Sequence, residues 1–306
     1  MKTGVIRNPV SGGKAFARAW PTLLQALNRR FPDIDVRETT AAGQAAYLAR
    51  ELVDCGCELV IAVGGDGTVS DVVDGILSSS RPRTAFSLIP NGTGCDFARN
   101  FRLAKTPESI VNQIAAAPLR CIDVVRLSGT AVDGGNVVRH FANIASVGVS
   151  GEIVRSMNEA PRNLLMGGST RFMLYSALGI IRYRPQSVRV VIDGEDVYAG
   201  AVTVACIANG AWFGGGMHVV PQADLTDGLL DVAVMRATSK IGQLGLLARL
   251  HRAAHVSHPL LSFHKGRTVE ITPIGEGRFS CEADGENPGL SALRAEILPA
   301  GLAMRI

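Results

Sequence analysis

Residues 58–77 read ELVIAVGGDGTVSDVVDGIL. The first six have the continuous apolar character of a strand covered on both faces of a parallel sheet. Val69, Val72, Val73, Ile76 and Leu77 then recur at i, i+3, i+4, i+7 and i+8, which is one face of a helix. Between them, Gly64-Gly65-Asp66-Gly67-Thr68 forms a strand-to-helix turn. Unpaired N–H groups and the helix dipole at such a turn attract anions. Glycine lets the backbone approach a phosphate with no Cβ in the way. Asp66 is the odd element, since a bare carboxylate repels a phosphate. A Mg2+ ion or its water between the two accounts for it, as does a hydroxyl partner. The purely structural alternative is a tight turn with Asp66 capping the helix.

The arrangement recurs on either side. Pro90-Asn91-Gly92-Thr93-Gly94-Cys95-Asp96 follows the apolar strand TAFSLIP and precedes the helical DFARNF, and Asn8-Pro9-Val10-Ser11-Gly12-Gly13 joins KTGVIR to a helix carrying Phe16, Trp20, Leu23, Leu24 and Leu27. With DIDVRETT and AAGQAAYLARELVDCG the first part of the chain alternates strand and helix. That rhythm gives an α/β fold with a doubly wound, mostly parallel sheet. Three glycine-containing loops at carboxyl ends of strands would line one crevice. No GxxxxGK[ST] is present, and GTGCDF lacks the last glycine of GxGxxG, so phosphate is handled by another scheme.

Past Cys121 the rhythm changes to strands joined by short turns, among them SVRVVIDGEDVYAGAVTV, a hairpin with Asp193-Gly194 at its tip. This predicts a β-rich, sandwich-like domain interrupted by two helices, STRFMLYSALGIIRYR and SKIGQLGLLARLHRAAH. The expected division is 1–122 and 123–297, with 298–306 allowed to return to the first domain as a final strand. Residues 197–217 carry no formal charge, but Asn209 and five glycines mark a strand and loop rather than a membrane span. Net charge is +4, with no basic and aromatic stripe, so nucleic acid is not an expected partner. Six cysteines lack zinc or disulfide spacing and read as free thiols of a reducing compartment. His251, His255 and His258 lack the glutamate of HExxH and read as a surface helix end.

Asn8-Pro9 with Ser11-Gly12, GGDGT at 64–68, PNGTGCDFAR at 90–99 and a late Asp284-Gly285-Glu286 resemble the diacylglycerol kinase catalytic family, in the family's order and over nearly the whole chain. The resemblance implies an ATP-dependent lipid kinase in which 1–122 binds nucleotide and 123–297 binds lipid. Asn8, Pro9, Val10, Ser11, Gly12, Thr39, Gly65, Asp66, Gly67, Thr68, Val69, Ser70, Asp71, Thr93 and Asp96 would hold the nucleotide. Thr39 is chosen over Thr40 because it precedes Gly43 by four residues. Asp66 and Asp96 would act through Mg2+, and Asp224, Asp227 and Leu229 would hold a structural metal. Glu286 would be the general base, with Asp284 and Asp66 the other catalytic acids. Ser70, Asp71 and Cys95 stand where the family commonly has asparagine, glutamate and asparagine.

Diacylglycerol is the first expected acceptor; a sphingoid lipid, ceramide-like lipid or phosphatidylglycerol is next. The rivals are a kinase of a soluble acceptor such as NAD and an inactive nucleotide-binding regulator. The expected setting is cytoplasmic, against the inner face of the membrane, where the two helices would lay basic side chains on anionic headgroups. An edge strand of the β-rich domain offers a route to a homodimer. In an extended strand Glu282, Asp284 and Glu286 would share one face, a clustering that raises carboxylate pKa values and suits a base. The same letters at Asp193-Gly194-Glu195 are assigned to turn formation alone.

Overall fold

The computed structural model describes residues 1–92, 94–131, 134–159, 168–250, 253–275 and 280–306. The chain divides into two compact units, Met1–Asp123 with Ala300–Ile306, and Val124–Pro299.

In the first unit β1 (Thr3–Arg7), α1 (Gly13–Arg30), β2 (Ile34–Glu38), α2 (Gln44–Asp54), β3 (Leu59–Gly64), α3 (Asp66–Leu77), β4 (Ala85–Pro90) and α4 (Pro107–Ala116) follow in turn, with a 3-10 turn at Phe97–Asn100. The strands pair in parallel in the order β2-β1-β3-β4. Alternation of side chains explains the three layers. Val5, Leu59, Ile61, Val63 and Ile89 face Trp20, Leu23 and Leu27 of α1 and Ile110 and Ile114 of α4. On the opposite face Gly4 lets Leu52 of α2 against the sheet, where a Cβ would lie 2.7 Å from its Cδ1. Gly75 does the same between α2 and α3, since a Cβ there would lie 2.3 Å from Ala46 O. The chain therefore leaves β1 toward one face and β3 toward helices on the other, and the switch lies between neighbouring strands.

The second unit continues with β5 (Leu119–Ala131), β6 (Asn136–Phe141), β7 (Ile144–Gly148), α5 (Val149–Glu159), α6 (Gly168–Arg182), β8 (Gln186–Ile192), β9 (Glu195–Ala208), β10 (Trp212–Phe213), β11 (Met217–His218), β12 (Leu230–Arg236), α7 (Lys240–Leu250), β13 (Leu261–Gly266), β14 (Thr268–Pro273), β15 (Cys281–Ala283) and β16 (Leu290–Arg305). Its backbone runs antiparallel in the order β13-β12-β9-β8-β14-β16, with β7 on the far half of β9 and β15 beyond β7. Val125, Phe141, Val190, Ile207, Val232, Ile271 and Leu293 meet in its core. A second cluster, with Met217, Val219, Val220 and Leu250, covers the other face of β9 and β12.

The hairpin expected at Asp193-Gly194 is present. Both residues are left-handed, with φ +49° and +89°, as a two-residue I′ turn requires. One expectation is corrected: His255 is not on the surface but fully buried, its Nε2 2.7 Å from Val219 O. His251 lies outside the described residues. All six cysteines are free. No described helix is long and apolar enough to cross a membrane.

Candidate active site

Parallel registry, Arg7 opposite Val63 and Gly64 opposite Pro90, brings β1, β3 and β4 to one edge of their sheet. The loops that follow them are tied pairwise. Asn8 Nδ2 donates to Thr68 Oγ1 at 3.2 Å, joining the first loop to the second. Asn91 Nδ2 donates to Ser11 O and Ser11 Oγ, each at 3.1 Å, joining the third to the first. Gly65 and Gly92 meet backbone to backbone, where a Cβ on Gly92 would lie 2.6 Å from Gly65 Cα. The glycines at 65 and 92 serve this close approach, while Gly64 makes room for the Thr68 side chain, whose Oγ1 would lie 2.5 Å from a Cβ there. Gly12, by contrast, also needs its left-handed φ of +70°, and a Cβ there would overlap Asn91 Oδ1 at 1.9 Å.

The convergence sets the start of α3 beside the other two loops. The first amides of α3 lack an intrahelical acceptor by helix geometry, and Asp66, Gly67 and Thr68 supply them. Gly65 is the N-cap. Asp66 does not cap its own helix; it accepts from Phe97 N–H at 3.3 Å, at the start of the 3-10 turn. Burial pushes its carboxyl up to about 6, and the neighbouring Asp96 charge adds to the rise, against backbone donors at 95–97 that lower it. Asp96 is itself buried and lies 3.4 Å from Arg99 Nε. A half-buried carboxyl raised by desolvation and by a second, buried carboxylate beside it is relieved by a divalent cation, so this pair fits Mg2+.

Other predicted nucleotide residues divide by environment. Asn8, Pro9 and Ser11 are half-buried, and Val10 is exposed. Thr39 is buried at the end of β2 and donates its N–H to Arg7 O, whereas the Thr40 hydroxyl is engaged by Gln44 Oε1 at 3.0 Å. Val69, Ser70 and Asp71 are buried along α3, and Val69 N–H already donates to Gly65 O. Thr93 lies outside the described residues. Asn91, which ties two loops, was not among the predicted site residues; its signal was its place directly before Gly92.

In the second unit the acidic segment departs from expectation. Glu282, Asp284 and Glu286 do not share one face of a strand. β15 ends at Ala283, and Asp284-Gly285 makes an I′-like turn with φ +48° and +85°, closed by Ala283 N–H to Glu286 O at 2.8 Å and Glu286 N–H to Ala283 O at 3.0 Å. Asp-Gly dipeptides tolerate left-handed φ, so they turn here as they do at 193–194. The three acids then have three environments. Asp284, 8% exposed, accepts the N–H groups of Ala142, Asn143 and Ile144 at 3.0–3.2 Å and holds that turn. Asn143 in turn donates through Nδ2 to Trp212 O at 2.8 Å.

Glu282 is fully buried, bonded to Ser146 Oγ and receiving Gly285 N–H at 3.1 Å. Burial pushes its carboxyl up to about 8. Ser146 Oγ also lies 2.7 Å from Ser150 Oγ, and one hydroxyl has one proton to give. A second proton for the two contacts comes either from the Ser150 hydroxyl or from a protonated Glu282. Glu286 is exposed, its carboxyl raised by partial desolvation and lowered by the Arg139 guanidinium. It is the one acid of the three left open to a substrate.

At the segment before β12, Asp224 Oδ1 accepts Thr226 N–H and Oγ1–H, and Asp227 Oδ1 accepts Leu229 N–H. Lys265 Nζ lies 2.9 Å from Asp227 Oδ2 and 3.2 Å from Asp231 Oδ2. Cross-strand pairing of Asp231 with Lys265 sets that ammonium in place. Of the three residues expected to hold a structural metal, Asp227 is reached by Lys265, so an ion held there with the backbone oxygens of Asp224 and Leu229 would displace that ammonium.

Residues 2–127 match the diacylglycerol kinase catalytic domain, and 143–306 match the YegS C-terminal NAD kinase beta sandwich-like domain. A diacylglycerol kinase of Mycobacterium tuberculosis is 27% identical over 97% of this chain and 95% of its own length. A relative from Chromohalobacter salexigens carrying the name YegS-like lipid kinase is 30% identical over 88% of this chain and 82% of its own. A crystal structure of a diacylglycerol kinase from Bacillus anthracis superposes with a TM-score of 0.73 at 20% identity, covering 99% of this chain and 96% of that one. Yeast NADH kinase shares the fold at a TM-score of 0.52 and 12% identity, covering 99% and 82%.

Proposed function

The chain belongs to the diacylglycerol kinase family of lipid kinases and is a phosphotransferase with an alcohol acceptor, and from that premise we propose that it transfers the γ-phosphoryl group of ATP to diacylglycerol. The pairwise tying of the loops at 8–12, 64–68 and 90–96 is the observation that carries this reading. A triphosphate needs several donors set in advance, because donors already oriented toward developing charge cost no reorganisation during transfer. Gly12, Gly65 and Gly92 let those backbones approach it. Asp66 and Asp96 would hold Mg2+, which neutralises charge on the phosphates. Thr39 and Asn8 border the same loops, and Val69, Ser70 and Asp71 support them from within α3.

Glu286 is the proposed base for the acceptor hydroxyl. Its raised pKa increases its affinity for that proton, and its exposure leaves it reachable. Asp284 acts as a positioning residue, since its oxygens are committed to three backbone donors. Radiolabelled ATP, Mg2+ and detergent micelles carrying diacylglycerol, sphingosine or ceramide, with NAD in solution as a further arm, test the proposal. Diacylglycerol is expected to be labelled, with losses of about a thousandfold or more in Asp66→Asn and Glu286→Gln. Labelling of NAD alone would refute the lipid acceptor. Undiminished transfer in both variants would refute the residue roles.

A further inference from the structure

We propose that the fully buried Glu282 is a positioning residue, which fixes the turn that presents Glu286. The inference rests on the reading of Glu286 as the base, and it adds the group that sets where that base stands. Four successive amides run through the turn. Ala283 N–H donates to Glu286 O at 2.8 Å, Asp284 N–H to Ile144 O at 2.9 Å and Glu286 N–H to Ala283 O at 3.0 Å. The fourth, Gly285 N–H, goes to a side chain, Glu282 Oε2, at 3.1 Å.

The sheet places Glu282 for this. It stands opposite Ser146 in β7, which in turn stands opposite Cys206 in β9. Its Oε1 bonds Ser146 Oγ, and Ser146 Oγ meets Ser150 Oγ, near the start of α5, at 2.7 Å. Gly151 lets α5 close against the chain there, since a Cβ on it would lie 2.5 Å from Ser280 O. One carboxyl thus joins this packed interior to the exposed Gly285. Asp284 fastens the turn at 142–144, and Glu282 adds a second tie, to β7 and α5. A turn held at one point can pivot, whereas a turn held at two cannot.

Turn formation does not require the acid. The hairpin tip at Asp193-Gly194 adopts the same left-handed pair with Val191 at the corresponding position. Burying an acid is unfavourable, and the chain does so beside the one acid of this segment that it leaves open. Its influence on Glu286 is geometric rather than electrostatic. Burial pushes the Glu282 carboxyl up to about 8, so it keeps its proton at neutral pH. Asp284 and the thiols of Cys281 and Cys206 bear on it, and none of these is a cation. The Glu286 carboxyl is instead raised by desolvation and lowered by Arg139.

Steady-state kinetics of the full chain with ATP, Mg2+ and diacylglycerol micelles test this. Glu282→Met, which keeps the volume and removes the acceptor, should lower kcat about a hundredfold. Its KM for ATP should stay within about twofold of wild type, because the phosphate loops belong to the other unit. The acid limb of its pH profile should keep the wild-type midpoint, since the base is displaced and not retuned. Glu282→Gln, whose amide keeps both bonds, should restore kcat to within about twofold at neutral pH. In the Glu286→Gln background, adding Glu282→Met should cost no more than about twofold further, as expected of a residue acting through that group. Amide exchange at Gly285 should accelerate in Glu282→Met while β9 stays protected, which also shows that the variant folds. Wild-type kcat in Glu282→Met, Glu282→Gln as impaired as Glu282→Met, or a shifted midpoint would overturn the positioning role. So would a double variant about a hundredfold below Glu286→Gln. Glu286→Gln at the wild-type rate would instead strike the base reading, and Gly285 exchange would then decide by itself whether Glu282 holds the turn.

Discussion

Glu282 and Glu286 sit four residues apart, on either side of one turn, and meet opposite conditions. Glu286 is open to solvent, while Glu282 is sealed in with Ser146 and bonded to it. A carboxyl raised from 4.5 to about 8 in the folded chain contributes stability that is complete below its unfolded pKa and is lost as pH climbs through its folded one. The melting temperature of Glu282→Gln, whose amide keeps a donor for Ser146, should therefore gain on wild type between about pH 5 and pH 8. The gap at the upper end is expected to be on the order of 5 °C. A gap that stays constant across that range would show that Glu282 is ionised in its site. Cys95 shows a smaller compromise. Its φ of +48° is a conformation that asparagine tolerates better, and its Sγ accepts Gly92 N–H at 3.0 Å and so closes the loop. The chain keeps the loop's shape with a thiol where the family commonly has an amide.

Among elements, the junctions from β1 to α1, from β3 to α3 and from β4 to the 3-10 turn matter most. The glycines at the second and third were read from sequence as room for phosphate; in the fold they are also room for each other. Gly92→Ala would place a methyl 2.6 Å from Gly65 Cα, and backbone on both sides leaves no flexible side chain to yield. The loops must part. Nucleotide affinity by calorimetric titration should drop at least about tenfold, with an overpacking cost of about 1–3 kcal/mol in folding. Affinity unchanged by this substitution would mean that the contact between the two loops is not what shapes the crevice. The two Asp-Gly turns carry a related lesson. Sequence reading separated Asp193-Gly194 as a hairpin tip from Asp284-Gly285 as part of a strand, yet both adopt the same turn. They differ in where they are anchored: Asp193 accepts the N–H groups of Arg267 and Thr268, and Asp284 those at 142–144. Long-range partners of this kind leave no local pattern.

At the scale of the molecule, the last seven residues rejoin the unit that the first 123 began. Met304 pairs in parallel with Phe86 of β4, Ser87 Oγ donates to Arg305 O at 2.6 Å, and Ala300 N–H donates to Asp123 Oδ1 at 2.7 Å. Leu302 is fully buried there. Leu302→Ala is expected to cost about 2–5 kcal/mol and to speed amide exchange in β4 while leaving β8 unchanged. Equal protection in both strands, or a loss below about 0.5 kcal/mol, would show that the returning strand adds little to the first unit. Much of the architecture was legible beforehand. Strand and helix alternation, glycine-bounded turns and the change of rhythm past Cys121 are written in spacing, and spacing is local. Local chemistry alone thus determined the α/β part, the β-rich part and the glycine-bounded loops between strand and helix. Tertiary structure decided that Asn91 ties loops, that Asp284 holds a turn while Glu286 stays open, and that Lys265 reaches both Asp227 and Asp231. Those outcomes depend on burial and on partners from 34 to 142 positions away, and no window of sequence contains both ends of such a contact.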